Sequence, residues 1–176
     1  MLVRTVLAAS AAALLVSAPT GPADATPAAT PEVCAENALT LRATPSGQDN
    51  VLYLTVKNHT KQTCLVDSIP LIAYGNLDGA AVPYPPSGDA PYTLEAGKTA
   101  HAAVRSVSLS GGDARSVGYI VVAANPEHNG SKFSAASLGE PHGLRVWEPL
   151  TTLWQPTRVR ADEVLAEADG AGILKV

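Results

Sequence analysis

The amino-acid sequence predicts an all-β domain, and three observations support that fold class. Short apolar or alternating segments recur from Ala38 onward, separated by Gly, Pro, Asn and Asp turns about every 8 to 15 residues. Helical periodicity is almost absent, and neither a heptad nor an internal repeat is visible. Two cysteines are present, Cys34 and Cys64. These features favour an antiparallel two-sheet sandwich of immunoglobulin-like kind with one disulfide, and a small β-barrel is the alternative.

Residues 1–25 are predicted to form a secretion signal peptide rather than part of the fold. Arg4 supplies the positive start, residues 5–18 are apolar, and an Ala-Asp-Ala motif ending at Ala25 has the small-x-small cleavage pattern. The apolar run is shorter than the about 20 residues of a membrane span, so we expect cleavage after Ala25 rather than a retained anchor helix. Residues 26–33, rich in Thr, Pro and Ala, are expected to form a flexible linker.

The cysteine count favours a disulfide between Cys34 and Cys64, because thiols in an exported chain meet an oxidising environment. A zinc site would need further ligands near these cysteines, and a catalytic thiol would have to escape pairing. The residues before Cys34 are Pro-Glu-Val, which is not the small-residue context of a lipoprotein cysteine. We therefore expect neither a metal site at these cysteines nor a lipid anchor.

Charge and length exclude several classes of function. The chain carries 12 Lys and Arg against 16 Asp and Glu, a formal charge of -4 without a basic cluster. Such a chain lacks the electrostatic footprint for a phosphate backbone, so no nucleic-acid partner is expected. The hydrophobic content of 46 % is that of a globular chain, and the mature length suits one domain.

The first predicted strands lie at residues 39–43 and 51–57. The second has the clearest alternation in the chain, with Leu52, Leu54 and Val56 on one face and Tyr53, Thr55 and Lys57 on the other. Residues 58–60, Asn-His-Thr, match a glycan acceptor pattern, as do residues 129–131, Asn-Gly-Ser. We interpret residues 58–60 as a turn in which Asn58 bonds locally to the backbone and the chain returns to Cys64.

The middle of the chain is predicted to alternate strands with proline-rich turns. Residues 64–66 and 71–74 are strands on either side of a bend at Pro70. Residues 76–79, Asn-Leu-Asp-Gly, predict a hairpin turn, with residues 80–84 as the returning strand. Residues 82–92 form a proline-rich loop or sheet edge, and residues 92–98 a brief extended piece ending in a turn.

The last third is predicted to hold the central strand and the end of the domain. Residues 99–109 alternate as a strand, and the apolar run 117–124 suits a central strand covered on both faces. Residues 125–143 form a loop with one short strand inside, and residues 144–147 another strand. The β-sandwich domain is thus predicted to span residues 34–156. Residues 157–176 are a C-terminal extension, in which residues 161–168 form a short helix packing through Val164, Leu165 and Ala168; a frayed tail is the alternative.

The order of these features resembles the actinobacterial exported domains known as domain of unknown function 4232. The elements that carry the resemblance are Cys34, the strand ending in Asn58, Cys64, residues 69–72 (Ile-Pro-Leu-Ile), residues 78–79 (Asp-Gly) and the turn at residues 94–100. The resemblance covers roughly residues 34–155 and implies an exported immunoglobulin-like sandwich whose two cysteines are linked. It implies no activity or catalytic residue. The cleavable signal and the extension after Pro156 depart from the family pattern.

Metal chemistry has weak candidates in the loop 125–143. Imidazoles and carboxylates such as His128, Glu140 and His142 could supply zinc ligands. The spacing of the two histidines matches no known ligand motif, so we expect no metal site and no cofactor. No Gly-x-Ser-x-Gly turn is present for a serine nucleophile, and the scattered carboxylates suggest no glycosidase pair.

A binding surface is the better lead, because aromatic side chains at a sandwich face or loop end often make partner contacts. The six candidates are Tyr53, Tyr74, Tyr84, Tyr92, Trp147 and Trp154. The preferred surface is the loop 82–92, represented by Tyr84, Pro85, Pro86 and Tyr92, although its prolines could merely blunt a sheet edge. A Trp in a sandwich is more often part of the core.

These observations predict an exported, non-catalytic domain that binds a protein or a cell-envelope component. We expect it to be secreted or envelope-associated, without stable membrane insertion after signal cleavage. The alternative is an envelope hydrolase or metal-dependent enzyme that uses the loop 125–143.

Overall fold

The computed structural model describes residues 31–86, 90–109 and 112–171. The predicted signal peptide and residues 26–30 of the predicted linker lie outside these ranges. The described chain is mostly β, with one α-helix, α1 (Arg158–Gly170), near its C-terminal end. The strands are β1 (Leu39–Pro45), β2 (Val51–Asn58), β3 (Cys64–Val66), β4 (Leu71–Tyr74), β5 (Val82–Tyr84), β6 (Tyr92–Leu94), β7 (Thr99–Arg105), β8 (Arg115–Val117), β9 (Tyr119–Ala123), β10 (Ser131–Ser134), β11 (Leu144–Val146) and β12 (Leu150–Thr152).

The strands form a five-stranded sheet, a three-stranded sheet and two strand pairs. The larger sheet has the order β1-β2-β7-β12-β5, and the smaller one has the order β10-β9-β4. Strands β11 and β8 form one pair, and β3 and β6 form the other. All these pairings are antiparallel except β12 with β5, which is parallel. The larger sheet ends at β1 and β5 and does not close on itself, so the alternative of a closed β-barrel is wrong for the described residues.

The alternation predicted for the second strand is confirmed in β2. Leu52, Leu54 and Val56 are buried in the larger hydrophobic core. That core also takes in side chains of β4 and β9, so it is shared between the five-stranded and three-stranded sheets. A strand exposes successive side chains on opposite faces, and the other face of β2 carries Val51 and Tyr53.

A second, smaller core lies on that outer face. Val51 and Tyr53 of β2, Ala103 of β7 and Leu150 of β12 pack there with buried side chains of α1, which are Ala161, Leu165 and Ala168. The cation of Arg158 lies 3.6 Å from the centre of the Tyr53 ring. The C-terminal extension thus adds a layer to the five-stranded sheet.

The helix α1 begins three residues before the predicted span. Thr157 is its N-cap, and the Thr157 side chain accepts a hydrogen bond from the Arg160 N–H. Val164, Leu165 and Ala168, the residues expected to form its packing face, are all buried. No helix in the described part of the chain is long and apolar enough to cross a membrane.

The predicted hairpin at residues 76–84 is wrong. Strand β4 pairs with β9 in the smaller sheet, whereas β5 pairs with β12 at the edge of the larger sheet. The turn lies earlier than predicted, where the Leu77 N–H donates to the Tyr74 carbonyl at 2.9 Å and Gly75 has a φ of 57°, while Gly79, with a φ of 106°, lies in the segment that follows. The turn carries the chain from one sheet to the other instead of folding it back on β4.

The apolar run 117–124 is also divided differently from the prediction. Gly118 separates β8 from β9, and β9 is the central strand of the three-stranded sheet. Its outer face is half-buried rather than covered, and the Lys132 amine lies 3.7 Å from the centre of the Tyr119 ring there. The short strand expected within residues 125–143 is β10.

An ion pair fixes the end of α1 to the larger sheet. The Arg105 guanidinium donates from Nε to Asp169 Oδ1 at 3.1 Å and from Nη2 to Oδ2 at 2.5 Å, and its side chain is only 11 % exposed. We expect Asp169→Asn to lower the free energy of unfolding by about 1 to 2 kcal/mol, because it leaves a mostly buried cation without its carboxylate. Urea unfolding measures this loss. Glu163→Gln, which weakens an exposed pair with Arg160, is the control and should cost less than about 0.5 kcal/mol.

Candidate functional site

The disulfide joins Cys34 to Cys64 at the start of the described chain. The backbone around it is paired as well: Cys34 N–H donates to the Leu65 carbonyl, and Leu65 N–H donates to the Glu32 carbonyl, both at 2.8 Å. Residues 32 and 33 of the predicted linker are therefore attached to β3, with Val33 bridging to Leu65. The disulfide secures the entry of the chain into the fold.

The turn at residues 58–60 is a structural feature and not a glycan acceptor in the folded chain. The Asn58 amide is fully buried, and its nitrogen donates to the carbonyls of Gln62, Leu94 and Glu95 at 2.8, 3.2 and 3.3 Å. Its oxygen accepts from the N–H and the hydroxyl of Thr60, both at 2.8 Å. The interpretation of Asn58 as a locally bonded turn residue is confirmed, and the amide nitrogen is inaccessible for modification.

The weak metal candidates belong to different parts of the fold. His128 Nε2 lies 3.1 Å from the Cys34 carbonyl, and the loop beside it is held by Glu36, which accepts from the Gly130 and Asn129 N–H groups. Those backbone bonds, Gly130 first, lower the pKa of Glu36.

His142 is exposed and borders a shallow depression near Ser116. The Glu140 N–H is bonded to the Ala135 carbonyl. Within the described ranges, no group of three or more His, Cys, Asp or Glu side chains is placed to hold a metal ion. The structure therefore does not assemble His128, Glu140 and His142 into a ligand set.

The preferred loop 82–92 is split between the five-stranded sheet and the β3–β6 pair. Tyr84 ends β5 and packs against the smaller core, whereas Tyr92 begins β6 and packs against the larger one. Pro85 and Pro86 are exposed, and residues 87–89 lie outside the described residues.

The prolines of this segment also limit what its edge strand can bind. On β5 the Val82 N–H and the Tyr84 carbonyl point towards the neighbouring segment 149–153. The peptide of Pro83 faces the open side and offers no N–H, so β5 is a poor template for an added strand.

A small cleft beside β5 brings together aromatic and charged side chains that are distant in sequence. We call it the Trp147 cleft; residues 77–80 and 146–149 line it together with Tyr74 and Arg115, and its volume is about 170 Å³. Arg115 lies opposite Val146 in the β8–β11 pair, so its backbone is next to the segment carrying Trp147, and Arg115 lines the cleft. Arg115, Asp78 and Glu148 are exposed, while the Trp147 side chain is half-buried.

The backbone holds Trp147 rigidly. Its N–H donates to the Ser106 carbonyl and its carbonyl accepts from the Ser108 N–H, both at 2.9 Å. Two residues later, the Pro149 carbonyl accepts from the Val82 N–H at 2.7 Å. The wall of the cleft is therefore tied to the 106–108 segment at one end and to β5 at the other.

Glu148 adopts a strained backbone conformation in this wall. Its φ is 44°, a value that residues other than Gly and Asn rarely adopt. Glu148 also precedes Pro149, and a residue before proline favours an extended backbone. The Ser108 hydroxyl donates to Glu148 Oε2 at 3.3 Å. Such strain persists only where the surroundings enforce it, and it is concentrated at functional sites.

Tyr74 borders the cleft, and its phenol hydroxyl is buried behind the wall. Its side chain is only 2 % exposed, and its hydroxyl has no hydrogen-bond partner among the described residues. Burial strongly raises the pKa of this phenol.

The glycine at position 112 supports the Trp147 indole. A Cβ atom added at Gly112 would fall within 2.7 Å of the indole atom Cδ1, so Gly112→Ala forces Trp147 to shift. We expect this substitution to change the Trp emission spectrum and to cost about 1 kcal/mol of stability. Fluorescence and urea unfolding measure both effects. Gly118→Ala is the matched control, because a Cβ there meets nothing within 4 Å; equal effects of the two substitutions would contradict the contact.

The buried phenol also predicts a pH dependence. A pKa raised by folding means that the folded chain holds the Tyr74 proton more tightly than the unfolded chain. The stabilisation is therefore complete below about pH 10, the ordinary range of Tyr, and is lost progressively above it. We expect Tyr74→Phe to unfold at higher pH than the parent chain in an alkaline titration followed by circular dichroism. Coincident titrations would show that another group controls alkaline unfolding.

Sequence reasoning found part of this site. Trp147 and Tyr74 were among the aromatic candidates, but the prolines directed attention to the loop 82–92. Asp78 and Arg115 were missed because nothing local marks them as site residues, and Glu148 was missed although its neighbours give a signal. The one usable signal was Trp-Glu-Pro at residues 147–149, where an acidic residue is fixed between an aromatic residue and a proline.

Comparisons with known proteins place the chain in a family without assigning it an activity. No curated protein matches the chain, and neither does any solved structure. The family model described as "Domain of unknown function (DUF4232)" matches residues 34–152, a range that contains every lining residue of the Trp147 cleft and ends before α1. Since this match covers more than half of the 176 residues, the chain belongs to the DUF4232 family.

Proposed function

We propose that the chain is an exported, non-catalytic domain that binds a protein or a cell-envelope component at the Trp147 cleft. The observation that carries the proposal is the rigidly held, half-buried indole of Trp147 beside the strained Glu148. A flat aromatic group at the mouth of a small cleft, flanked by charged side chains, suits recognition of a ligand that is partly apolar and partly polar. Aromatic side chains held in this way often dominate binding energies.

Export is supported by two features of different kinds. The N-terminal residues have the pattern of a cleavable signal, and the disulfide is compatible with an oxidising compartment outside the cytoplasm. We accordingly propose a secreted or envelope-associated location, without stable membrane insertion after cleavage. The sequence resemblance further leads us to propose an actinobacterial source.

We also propose that the five-stranded and three-stranded sheets are the two layers of an immunoglobulin-like sandwich. The larger core shared between them supports this arrangement. The parallel β12–β5 pair departs from a wholly antiparallel sandwich. No observation on the described residues favours the alternative of a hydrolase or metal-dependent enzyme in the loop 125–143.

Cosedimentation of the full mature chain with native envelope fragments tests the binding function. We expect the parent chain to be retained and both Trp147→Ala and Arg115→Ala to be released. Arg42→Ala is the matched control, because Arg42 is an exposed arginine on β1, at the opposite edge of the larger sheet. Equal retention of all variants would remove the cleft from the function. Replacing Pro85 and Pro86 by glycine tests the surface preferred from the sequence in the same assay.

A further inference from the structure

The size of the Trp147 cleft limits what can enter it. Its volume of about 170 Å³ is well below the about 300 to 1,000 Å³ of pockets that enclose a drug-sized ligand. One ring-sized group therefore fits inside, while the rest of a larger ligand stays outside along the rim. A polymer or a protein bound by this domain would therefore insert a single ring-sized unit into the cleft.

The chemistry of the rim restricts the charge of that unit. Asp78 and Glu148 offer carboxylate oxygens, which only accept hydrogen bonds, and Arg115 offers a guanidinium, which only donates them. An anionic group would meet two carboxylates, and a cationic group would meet the guanidinium. A neutral group whose hydroxyls both donate and accept pairs with all three side chains.

On the basis of the proposed binding function, we propose that the Trp147 cleft binds one pyranose ring of a neutral saccharide. The Trp147 indole supplies a flat apolar surface for the C–H face of the sugar ring, and its fixed backbone keeps that surface in place before binding. Asp78, Glu148 and Arg115 bond to ring hydroxyls at the rim.

Intrinsic fluorescence makes this proposal testable, because the chain has two tryptophans in different settings. Trp147 borders the cleft, whereas Trp154 is 2 % exposed in the larger core. The full mature chain is titrated with maltotriose, mannotriose and chitotriose, and with trilysine and triglutamate as charged comparators. We expect a saturable change in emission with at least one trisaccharide, at a Kd of about 1 mM as befits one sugar ring. The change should be absent from Trp147→Phe.

Saturable binding of trilysine or triglutamate in place of the sugars, or no change with any probe, would overturn the saccharide proposal. Retention on envelope fragments through Trp147 would then still support the binding function.

Discussion

Removing the disulfide is expected to lower the free energy of unfolding by about 3 to 4 kcal/mol. The bond between Cys34 and Cys64 closes a loop across a sequence separation of 30 residues, and opening it restores the entropy of that loop to the unfolded chain. A domain of this size has a total stability of about 5 to 15 kcal/mol, so the loss is a large part of it. The double variant Cys34→Ala, Cys64→Ala, compared with the parent chain by urea unfolding, measures the effect.

A matched experiment distinguishes loop closure from local packing. Cys34 is 2 % exposed and lies in the larger core, so the double variant also removes some packing. Reduction of the parent chain with a thiol opens the loop while keeping both cysteine side chains. We expect the reduced chain to show most of the loss. A reduced chain as stable as the oxidised one would show that the loop contributes little.

Replacing Asn58 by Ala is expected to cost about 2 to 4 kcal/mol. The substitution removes the donor to the Gln62, Leu94 and Glu95 carbonyls, of which the Leu94 contact is buried, and it also removes the acceptor of the Thr60 N–H. Each buried polar group left unpaired costs about 1 to 3 kcal/mol. The bonds also join the end of β2 to the turn after β6, so their loss loosens both segments. Urea unfolding of the variant measures the cost.

The chain provides an internal control for this prediction. Asn129 occupies the same kind of Asn-x-Ser/Thr pattern but is exposed, and its side-chain nitrogen makes one bond, to Glu36 at 3.3 Å. We expect Asn129→Ala to cost less than about 0.5 kcal/mol, as exposed substitutions usually do. Similar costs for the two substitutions would mean that the Asn58 amide does not stabilise the fold to the extent that its contacts indicate.

The sequence pattern was sufficient to predict the features that depend on residues close together in the chain. The alternation of β2 identified its core face because successive strand residues point in opposite directions. The spacing of Val164, Leu165 and Ala168 identified the packing face of α1, because residues three and four apart share one side of a helix. The role of Asn58 followed from the known tendency of Asn side chains to bond to nearby backbone.

The pairing of strands that are distant in the sequence could not be predicted in the same way. The Asp-Gly pair at residues 78–79 predicted a reversal of the chain but could not identify the strand that pairs next, and in the structure β5 pairs with β12, which is distant in the sequence. The Trp147 cleft depends on the same kind of pairing. Arg115 reaches it because β8 pairs with β11, and residues 77–80 reach it because β5 pairs with β12. No window of the sequence contains these residues together.

The position of α1 at the end of the chain has a consequence for the order of assembly. The outer face of β2 belongs to the first third of the sequence, and the helix that covers it is the last described element to be synthesised. During synthesis, Val51, Tyr53 and Leu150 therefore remain uncovered until residues 161–168 become available. The apolar face of β2 is a surface that chaperones would meet on the emerging chain and that the finished molecule conceals.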